Sequence, residues 1–434
     1  MKYQLTIAII LLILVFQPAL SQEGYGFRVE QITVSSDYSS IDVSGEAVIA
    51  VGKSGLLTVW RPGRVDHTTI ATSDLSSISC VESLCIVAGK GGIVSDVDIG
   101  RMAYKSYTLS KKDLVSVAFD GRIAVIAASD ELYIYRPGGE VMKAVQSRLK
   151  ISRITFSEGV FIAAAEKTAS KVSPSGDIEK IADYTSNLIT AFRHRGSVWA
   201  LAADGLYMDG SRILTGSYTA AAPHPRGILL LSGMNIQLYD AIDRQVKHVA
   251  TVTRQVGSIK LYGGDRVVAS GPAGTLLMVS EGVQNMLTAP SGEYSTAVDD
   301  GVGGVYVAMK SGLILRYSGG AFTTYVLGDE PRRMTVSGGL VAILGSRSLW
   351  SLNPATGELA RVEAPVKPSD FNDIAPSVRT GYWITLAGPN GIVDLTLDGQ
   401  VLPASVGGKL LAVTLGYAVG EKIAAIITGE CFVA

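Results

Sequence analysis

The sequence predicts an all-β fold, a β-propeller of four-stranded blades. A weak pattern of apolar runs and polar turns returns about every 37 residues along the 434-residue chain. Apolar residues alternate or run together over short stretches, as in strands, and no helical period persists. Because units this short cannot bury their own apolar face, they must stack on one another. About eleven units begin near Ile41, Ile78, Leu114, Ile151, Leu188, Thr219, Val256, Tyr294, Pro331, Phe371 and Leu410.

Each unit is interpreted as four antiparallel strands, of which the first and second are apolar, the third is mixed and the fourth is solvated. Continuous apolar runs such as Val160–Ala165 are typical of inner strands that are covered on both faces. Charged segments such as Ile178–Thr185 indicate solvated outer strands. Turns such as Gly89–Gly92 lie between the second and third strands, where glycine supplies the positive φ of a tight hairpin.

Eleven blades exceed the four to eight of ordinary propellers, so the chain forms either one large ring or two rings. We favour two rings, divided at the short interval near Tyr218 into residues 22–217 and 218–434, with Pro365–Pro368 as the second candidate for the junction. The last unit, Leu410–Ala434, is incomplete. The spare strand Tyr25–Val34 is expected to complete that blade and close the ring, because closure removes unpaired strand edges.

Residues 1–21 are interpreted as a signal peptide. Lys2 precedes the apolar stretch Leu5–Phe16, and a small-x-small cleavage site ends at Ser21. The stretch is shorter than the roughly 20 residues that span a bilayer, which favours a cleaved leader over an uncleaved anchor. The mature chain is therefore expected to be secreted or extracytoplasmic, with no membrane span.

Three cysteines are present. If Glu82 and Ser83 form a two-residue turn, Cys80 lies opposite Cys85, close enough for a disulfide. An exported compartment preserves such a bond, so a disulfide is favoured over two free thiols or a metal site. Cys431 remains as a buried small hydrophobe or, less favoured, an intermolecular link.

Charge patterning predicts one candidate binding surface. The formal net charge of −1 gives no bulk attraction to nucleic acid, which is not expected as a partner. Lys53, Lys90, Lys167 and Lys310 occupy matching turns between second and third strands. In a propeller these turns share one face, so they predict a basic rim for an acidic partner or glycan. The alternative is that lysine is simply a soluble turn residue.

No catalytic or metal-binding set is predicted. The four histidines, His67, His194, His224 and His248, fall at positions that do not converge in the strand map. No Ser-His-Asp order and no nucleophile elbow is present. We therefore expect no catalytic residue, metal or cofactor.

Three segments resemble known repeats. Leu352–Leu359 is similar to the repeat of quinoprotein propellers, with Asn353 in place of the usual Asp. Ile78–Gly92 resembles repeats of photosystem-assembly factors, and Asp299–Leu313 resembles those of sensor-kinase periplasmic propellers. The chain thus resembles secreted β-propellers of the quinoprotein-dehydrogenase-like and YVTN-like superfamily. The resemblance implies the architecture, but no single activity.

The expected function is an exported scaffold that binds a protein or glycan at the cell surface. One alternative is an enzyme, a hydrolase, lyase or oxidoreductase, with its site in the central channel. Acids or arginines on several first strands at the channel mouth would favour this. Another is a soluble sensor or assembly factor for a membrane complex.

Overall fold

The computed structural model describes residues 33–62, 64–147, 150–280, 283–319, 321–404, 410–414, 417–420, 424–427 and 432–433. The predicted leader, most of the strand predicted at Tyr25–Val34, and Cys431 lie outside these residues. Within them the secondary structure is β-strand, apart from three short 3-10 turns at Lys53–Gly55, Lys90–Gly92 and Pro368–Asp370.

The described strands form eleven four-stranded antiparallel sheets, the blades, and one two-stranded parallel sheet. Strand β1 is Thr33–Val34. Blade 1 comprises β2 Tyr38–Ser44, β3 Ala47–Gly52, β4 Leu56–Arg61 and β5 Arg64–Thr69, and blade 2 comprises β6 Leu75–Val81, β7 Leu84–Gly89, β8 Ile93–Asp98 and β9 Ala103–Thr108. Blade 3 comprises β10 Leu114–Phe119, β11 Ala124–Ala128, β12 Glu131–Arg136 and β13 Glu140–Gln146, and blade 4 comprises β14 Ile151–Ser157, β15 Val160–Ala165, β16 Thr168–Val172 and β17 Ile178–Asp183.

Blades 5 to 7 comprise β18 Leu188–His194, β19 Ser197–Ala202, β20 Gly205–Met208 and β21 Ser211–Thr215; β22 Ala220–His224, β23 Gly227–Ser232, β24 Asn235–Asp240 and β25 Gln245–Thr251; β26 Ser258–Tyr262, β27 Arg266–Ser270, β28 Leu276–Ser280 and β29 Val283–Met286. Strand β30, Ala289–Pro290, precedes the last four blades. Blade 8 comprises β31 Tyr294–Asp299, β32 Gly304–Met309, β33 Leu313–Ser318 and β34 Ala321–Val326, and blade 9 comprises β35 Pro331–Ser337, β36 Leu340–Gly345, β37 Leu349–Leu352 and β38 Leu359–Val362. Blade 10 comprises β39 Asp373–Pro376, β40 Ile384–Gly388, β41 Gly391–Leu395 and β42 Val401–Ala404, and blade 11 comprises β43 Leu410–Thr414, β44 Tyr417–Gly420, β45 Ala424–Ile427 and β46 Phe432–Val433.

The predicted contrast between an apolar second strand and a solvated fourth strand is confirmed. Every residue of the second strand β11 is buried, whereas the outer strand β9 is exposed along most of its length. Apolar side chains of second and third strands pack against the next blade, as in the buried cluster of Val51, Val59 and Val87 between blades 1 and 2. Blade-to-blade packing therefore supplies the core, and the all-β propeller prediction is correct.

Blade 7 packs against blade 1, so the first seven blades form a closed ring. The Tyr38 amide donates a hydrogen bond to the Gly271 carbonyl at 3.1 Å, and the Tyr262 hydroxyl donates to the Glu46 carbonyl at 3.2 Å. The rings of Trp60 and Tyr262 lie 6.1 Å apart, edge to face. These contacts join the two ends of the seven-blade stretch and leave no exposed edge between them.

The ring boundary differs from the one predicted between residues 217 and 218. Blades 5 and 6 pack directly on each other there: Phe192, Trp199 and Ile228 share one buried cluster. The interval is short because β20 and β21 have only four and five residues. The ring instead ends after blade 7, before β30.

The segment predicted to complete the last blade lies elsewhere, as far as the structure describes it. Strand β1 pairs in parallel with β30, not with blade 11. Gly274 lies directly against Val34. In the same way, Gly55 and Gly92 each lie against a residue of the connection that leads from their own blade to the next. Val34 therefore occupies the place of an inter-blade connection in the closed ring.

Blades 8 to 11 follow as a row in which each blade packs on the next. Buried clusters join blades 8 and 9, blades 9 and 10, and blades 10 and 11. At the start of the row Val305 is 37% exposed, while its counterpart in blade 1, Val48, is fully buried. The Met286 amide, which donates to Thr324 Oγ1 at 2.8 Å, connects the ring to this row.

Candidate functional site

The channel of the ring brings three charged side chains together from three first strands. Asp42 lies on β2, Arg153 on β14 and Lys260 on β26. The strand registers place Arg153 at a position where the other blades carry small residues: Ser40, Ser77, Ser116, Thr190, Ala220 and Ser258. This space around the channel axis is what admits a long guanidinium side chain.

Asp42 connects three blades. Its Oδ1 lies 3.0 Å from Nζ of Lys260 in blade 7, and its Oδ2 accepts a hydrogen bond of 2.8 Å from the Cys80 amide in blade 2. Asp42 is mostly buried, with 13% of its side chain exposed. Both carboxylate oxygens are thus engaged by the protein.

Hydroxyl groups along the first strands repeat this link between blades. Ser77 and Ser79 accept hydrogen bonds of 3.1 and 3.0 Å from the amides of Val117 and Phe119 in the next blade. Ser116 accepts one of 3.0 Å from the Ile154 amide. Asp42 occupies the serine position in this pattern and adds a negative charge to it.

Two adjoining chambers of about 100 and 190 Å³ share the Arg153 and Lys260 side chains. The shared walls mean that these side chains lie at the boundary between the chambers. Arg153 is partly buried, and its guanidinium has no hydrogen-bond partner among the residues that the structure describes. Burial lowers the pKa of Arg153, and attraction by Asp42 opposes that shift.

The predicted cysteine pair borders the larger chamber. Cys80 and Cys85 are directly opposed on β6 and β7, and the structure joins them by a disulfide with a Cα–Cα distance of 4.0 Å. Val81 faces Leu84 across the turn, as the sequence predicts. Cys80 lines the larger chamber, while Cys85 is fully buried between blades 1 and 2.

The predicted lysine rim is largely neutralised within its own blades. Lys53 pairs with Asp37, Lys90 with Asp74 at 2.8 Å, and Lys310 with Glu293 at 2.8 Å. The hydrogen bond that each of these lysines donates to its acidic partner raises the pKa of that lysine. The fourth, Lys167, is exposed, and none of the four lines the channel chambers. Three of the four residues therefore present ion pairs instead of free positive charge.

Two of the histidines, which the sequence places apart, come together. His194 Nε2 lies 2.9 Å from the carbonyl oxygen of His224, at the junction of blades 5 and 6. His67 Nδ1 contacts Thr58 Oγ1 at 2.9 Å, and burial lowers the pKa of His67. Within the described ranges no group of three or more His, Cys, Asp or Glu side chains is arranged to hold a metal. None of the helical segments described there has the length and apolarity of a bilayer span.

No protein-family model and no curated protein matches the chain. Among solved structures, the extracellular domain of the putative one component system BT4673 from B. thetaiotaomicron is similar, with a TM-score of 0.47 and 12% identity over 91% of this chain. The chain spans 63% of that domain. The WD40 beta propeller domain of Doa1 is similar with a TM-score of 0.49 and 14% identity, covering 57% of this chain and 93% of that domain.

Proposed function

We propose that the protein is an extracytoplasmic binding scaffold that recognises a protein or glycan partner through the channel of its seven-bladed ring. One observation carries the proposal: three blades place Asp42, Arg153 and Lys260 in a channel whose chambers are otherwise lined by uncharged residues. Converging polar groups in a concave, largely preformed cavity are typical of a ligand site. The first strands of blades 1, 4 and 7 hold these groups in place.

The chemistry of the chambers favours binding over catalysis. Of the described residues that line them, Asp42 is the one carboxylate, and both of its oxygens are engaged. General acid–base catalysis needs a group that is free to move a proton at the reacting atom. The histidine pair at His194 lies outside both linings.

Two features support a location outside the cytoplasm. The disulfide between Cys80 and Cys85 is of the kind that persists in oxidising compartments. The N-terminal sequence has the pattern of a secretory leader, with Lys2 before an apolar stretch.

Partner capture tests the proposal. Wild-type protein would be immobilised beside Ala221→Trp, which fills the smaller chamber, and both would be exposed to a native envelope fraction and to a glycan array. The control is Val302→Trp, which adds the same indole at a turn residue that is 78% exposed in blade 8. We expect the wild type and the control to retain the same partner and Ala221→Trp to lose it. Equal retention by a folded Ala221→Trp would overturn the channel as the binding site.

An enzyme with its site in the channel is the second candidate function. An acid and an arginine on first strands are the feature that favours it, and Asp42 and Arg153 provide that feature. Turnover of a panel of glycosides, esters and polyuronates by the wild type, abolished in Asp42→Asn, would support this candidate. Equal turnover by both proteins would exclude Asp42 as the catalytic acid, and no turnover of the panel by the wild type would contradict this candidate.

A further inference from the structure

We infer that the smaller chamber binds the carboxylate of an acidic sugar, with the rest of the sugar extending into the larger chamber. This inference rests on the proposed function and specifies its ligand. It is carried by the donor groups that line the chambers, by their net charge and by the polarity of the larger chamber.

The smaller chamber collects hydrogen-bond donors that the protein leaves unused. Besides the Arg153 guanidinium it is lined by Thr190 and Ser258, which are 5% and 8% exposed. Neither hydroxyl has a hydrogen-bond partner among the described residues. Lys260 contributes an ammonium, which has two further protons beyond the one directed at Asp42. Because the partly buried Arg153 guanidinium has no hydrogen-bond partner among the described residues, an anion bound here would gain charged hydrogen bonds from it.

The charge of the site matches a single negative charge. Arg153 and Lys260 contribute two positive charges, and Asp42 cancels one of them. A carboxylate neutralises the remainder and can accept two parallel hydrogen bonds from a guanidinium. A phosphate monoester, which carries nearly two negative charges, adds repulsion from Asp42.

The larger chamber suits a hydroxyl-rich group. Ser77, Ser79 and Thr155 line it, and both serines accept hydrogen bonds from backbone amides. A serine oxygen that accepts such a bond still has its own proton to donate to a sugar oxygen. This lining therefore favours a uronic acid, whose ring carries hydroxyl groups, over an acidic peptide.

Calorimetric titration of the full chain with five probes tests the inference: glucuronate, glucose, acetate, glucose 6-phosphate and a tri-glutamate peptide. The variants are Arg153→Ser, which installs the residue present at the equivalent positions of blades 1 to 3, and Arg153→Lys, which keeps the charge. The matched control is Lys167→Ser, which removes one positive charge at an exposed turn outside the channel.

We expect the wild type and Lys167→Ser to bind glucuronate at least about tenfold more tightly than glucose or acetate. Arg153→Ser should lose that preference, and Arg153→Lys should keep only part of it, because lysine lacks the planar fork. Equal binding of glucuronate and glucose by the wild type, or unchanged glucuronate binding by Arg153→Ser, would overturn the inference. Tighter binding of glucose 6-phosphate than of glucuronate would show that the site prefers a phosphate to a carboxylate. Tighter binding of the peptide than of glucuronate would show that it prefers a peptide to a sugar. Either result would overturn the inference.

Partner capture by the wild type and Ala221→Trp separates this inference from the proposed function. A wild type that still captures its partner through the channel, and loses it in Ala221→Trp, keeps the proposed function even when glucuronate binding fails. If glucuronate does not bind and partner capture does not depend on the channel, the channel is not a binding site.

Discussion

Lys260 in the seventh blade and Asp42 in the first blade form an ion pair with an Nζ–Oδ1 distance of 3.0 Å, and this pair lies where the ring closes. Asp42 also accepts the amide hydrogen of Cys80 in the second blade at 2.8 Å. One carboxylate therefore connects three blades and balances part of the positive charge in the channel.

Replacing Asp42 by Asn tests its role in closure. The amide keeps the shape of the side chain but removes the negative charge, so Arg153 and Lys260 are left without their counter-ion. We expect the free energy of unfolding to fall by about 1–2 kcal/mol, as for the loss of a largely buried charged hydrogen bond. Urea denaturation measures this, with Asp265→Asn at an exposed turn as the control. Adding Arg153→Ser to Asp42→Asn should restore part of the loss, and an unchanged Asp42→Asn would contradict the role.

Two glycines with nearly the same φ separate close packing from conformational strain. Gly274 has a φ of +69°, and a Cβ there would lie 2.2 Å from the Val34 carbonyl oxygen. Gly91 has a φ of +68° and nothing within 4 Å of its Cβ position. We expect Gly91→Ala to cost about 1 kcal/mol through the left-handed backbone alone, and Gly274→Ala to cost at least about twice that. Equal thermal shifts for the two variants would mean that Val34 does not pack against the ring.

The disulfide is tested by its oxidation state and by its removal. Alkylation of protein from the exported fraction without reductant, followed by mass mapping, should leave both Cys80 and Cys85 unlabelled. Changing both to Ala should lower the free energy of unfolding by about 2 kcal/mol, as expected for a short closed loop. Labelling of both thiols in the exported protein would contradict the bond.

Asp240 makes stability depend on pH in the acid range. Its carboxylate accepts a hydrogen bond of 2.9 Å from Lys247, which with Arg226 at 2.7 Å and the Ile242 amide lowers the pKa of Asp240 to about 2. An unfolded Asp titrates near about 3.9, so the stabilisation is complete above that pH and is lost as the pH falls through about 2.

Urea denaturation between pH 5 and pH 2 measures this effect. We expect Asp240→Asn to lose less stability than the wild type over that interval, because the substituted residue does not titrate. Asp265→Asn serves as the control and should follow the wild type. A wild-type curve that is as flat as that of Asp240→Asn would show that the folded and unfolded pKa values are equal.

Strands and their order within each blade follow from the sequence because burial is local there. The apolar run at Val160–Ala165 becomes a second strand, and the charged run from Ile178 becomes an outer strand. The cysteine pair was predictable for the same reason, since a two-residue turn fixes which residues are opposed.

Features that depend on contacts between distant blades were not predictable in the same way. No local sequence signal indicates that blade 7 packs on blade 1. The sequence therefore predicts a ring boundary at a short interval that reflects only the short strands of blade 5. The sequence does contain a signal for two of the lysine ion pairs, because Asp37 and Asp74 precede Lys53 and Lys90 by the same spacing of 16 residues. Arg153 also has a sequence signal, because the equivalent position in the other blades of the ring carries a small residue.

Zero-length carbodiimide cross-linking, read out by mass spectrometry, tests ring closure most directly. If blade 7 packs on blade 1, the Lys260 ammonium and the Asp42 carboxylate are in contact and should yield one cross-linked peptide pair, absent in Lys260→Arg. The pair of Lys90 and Asp74 within blade 2 is the internal positive control. Recovery of the control cross-link without any link between Lys260 and Asp42 would contradict the closed seven-bladed ring.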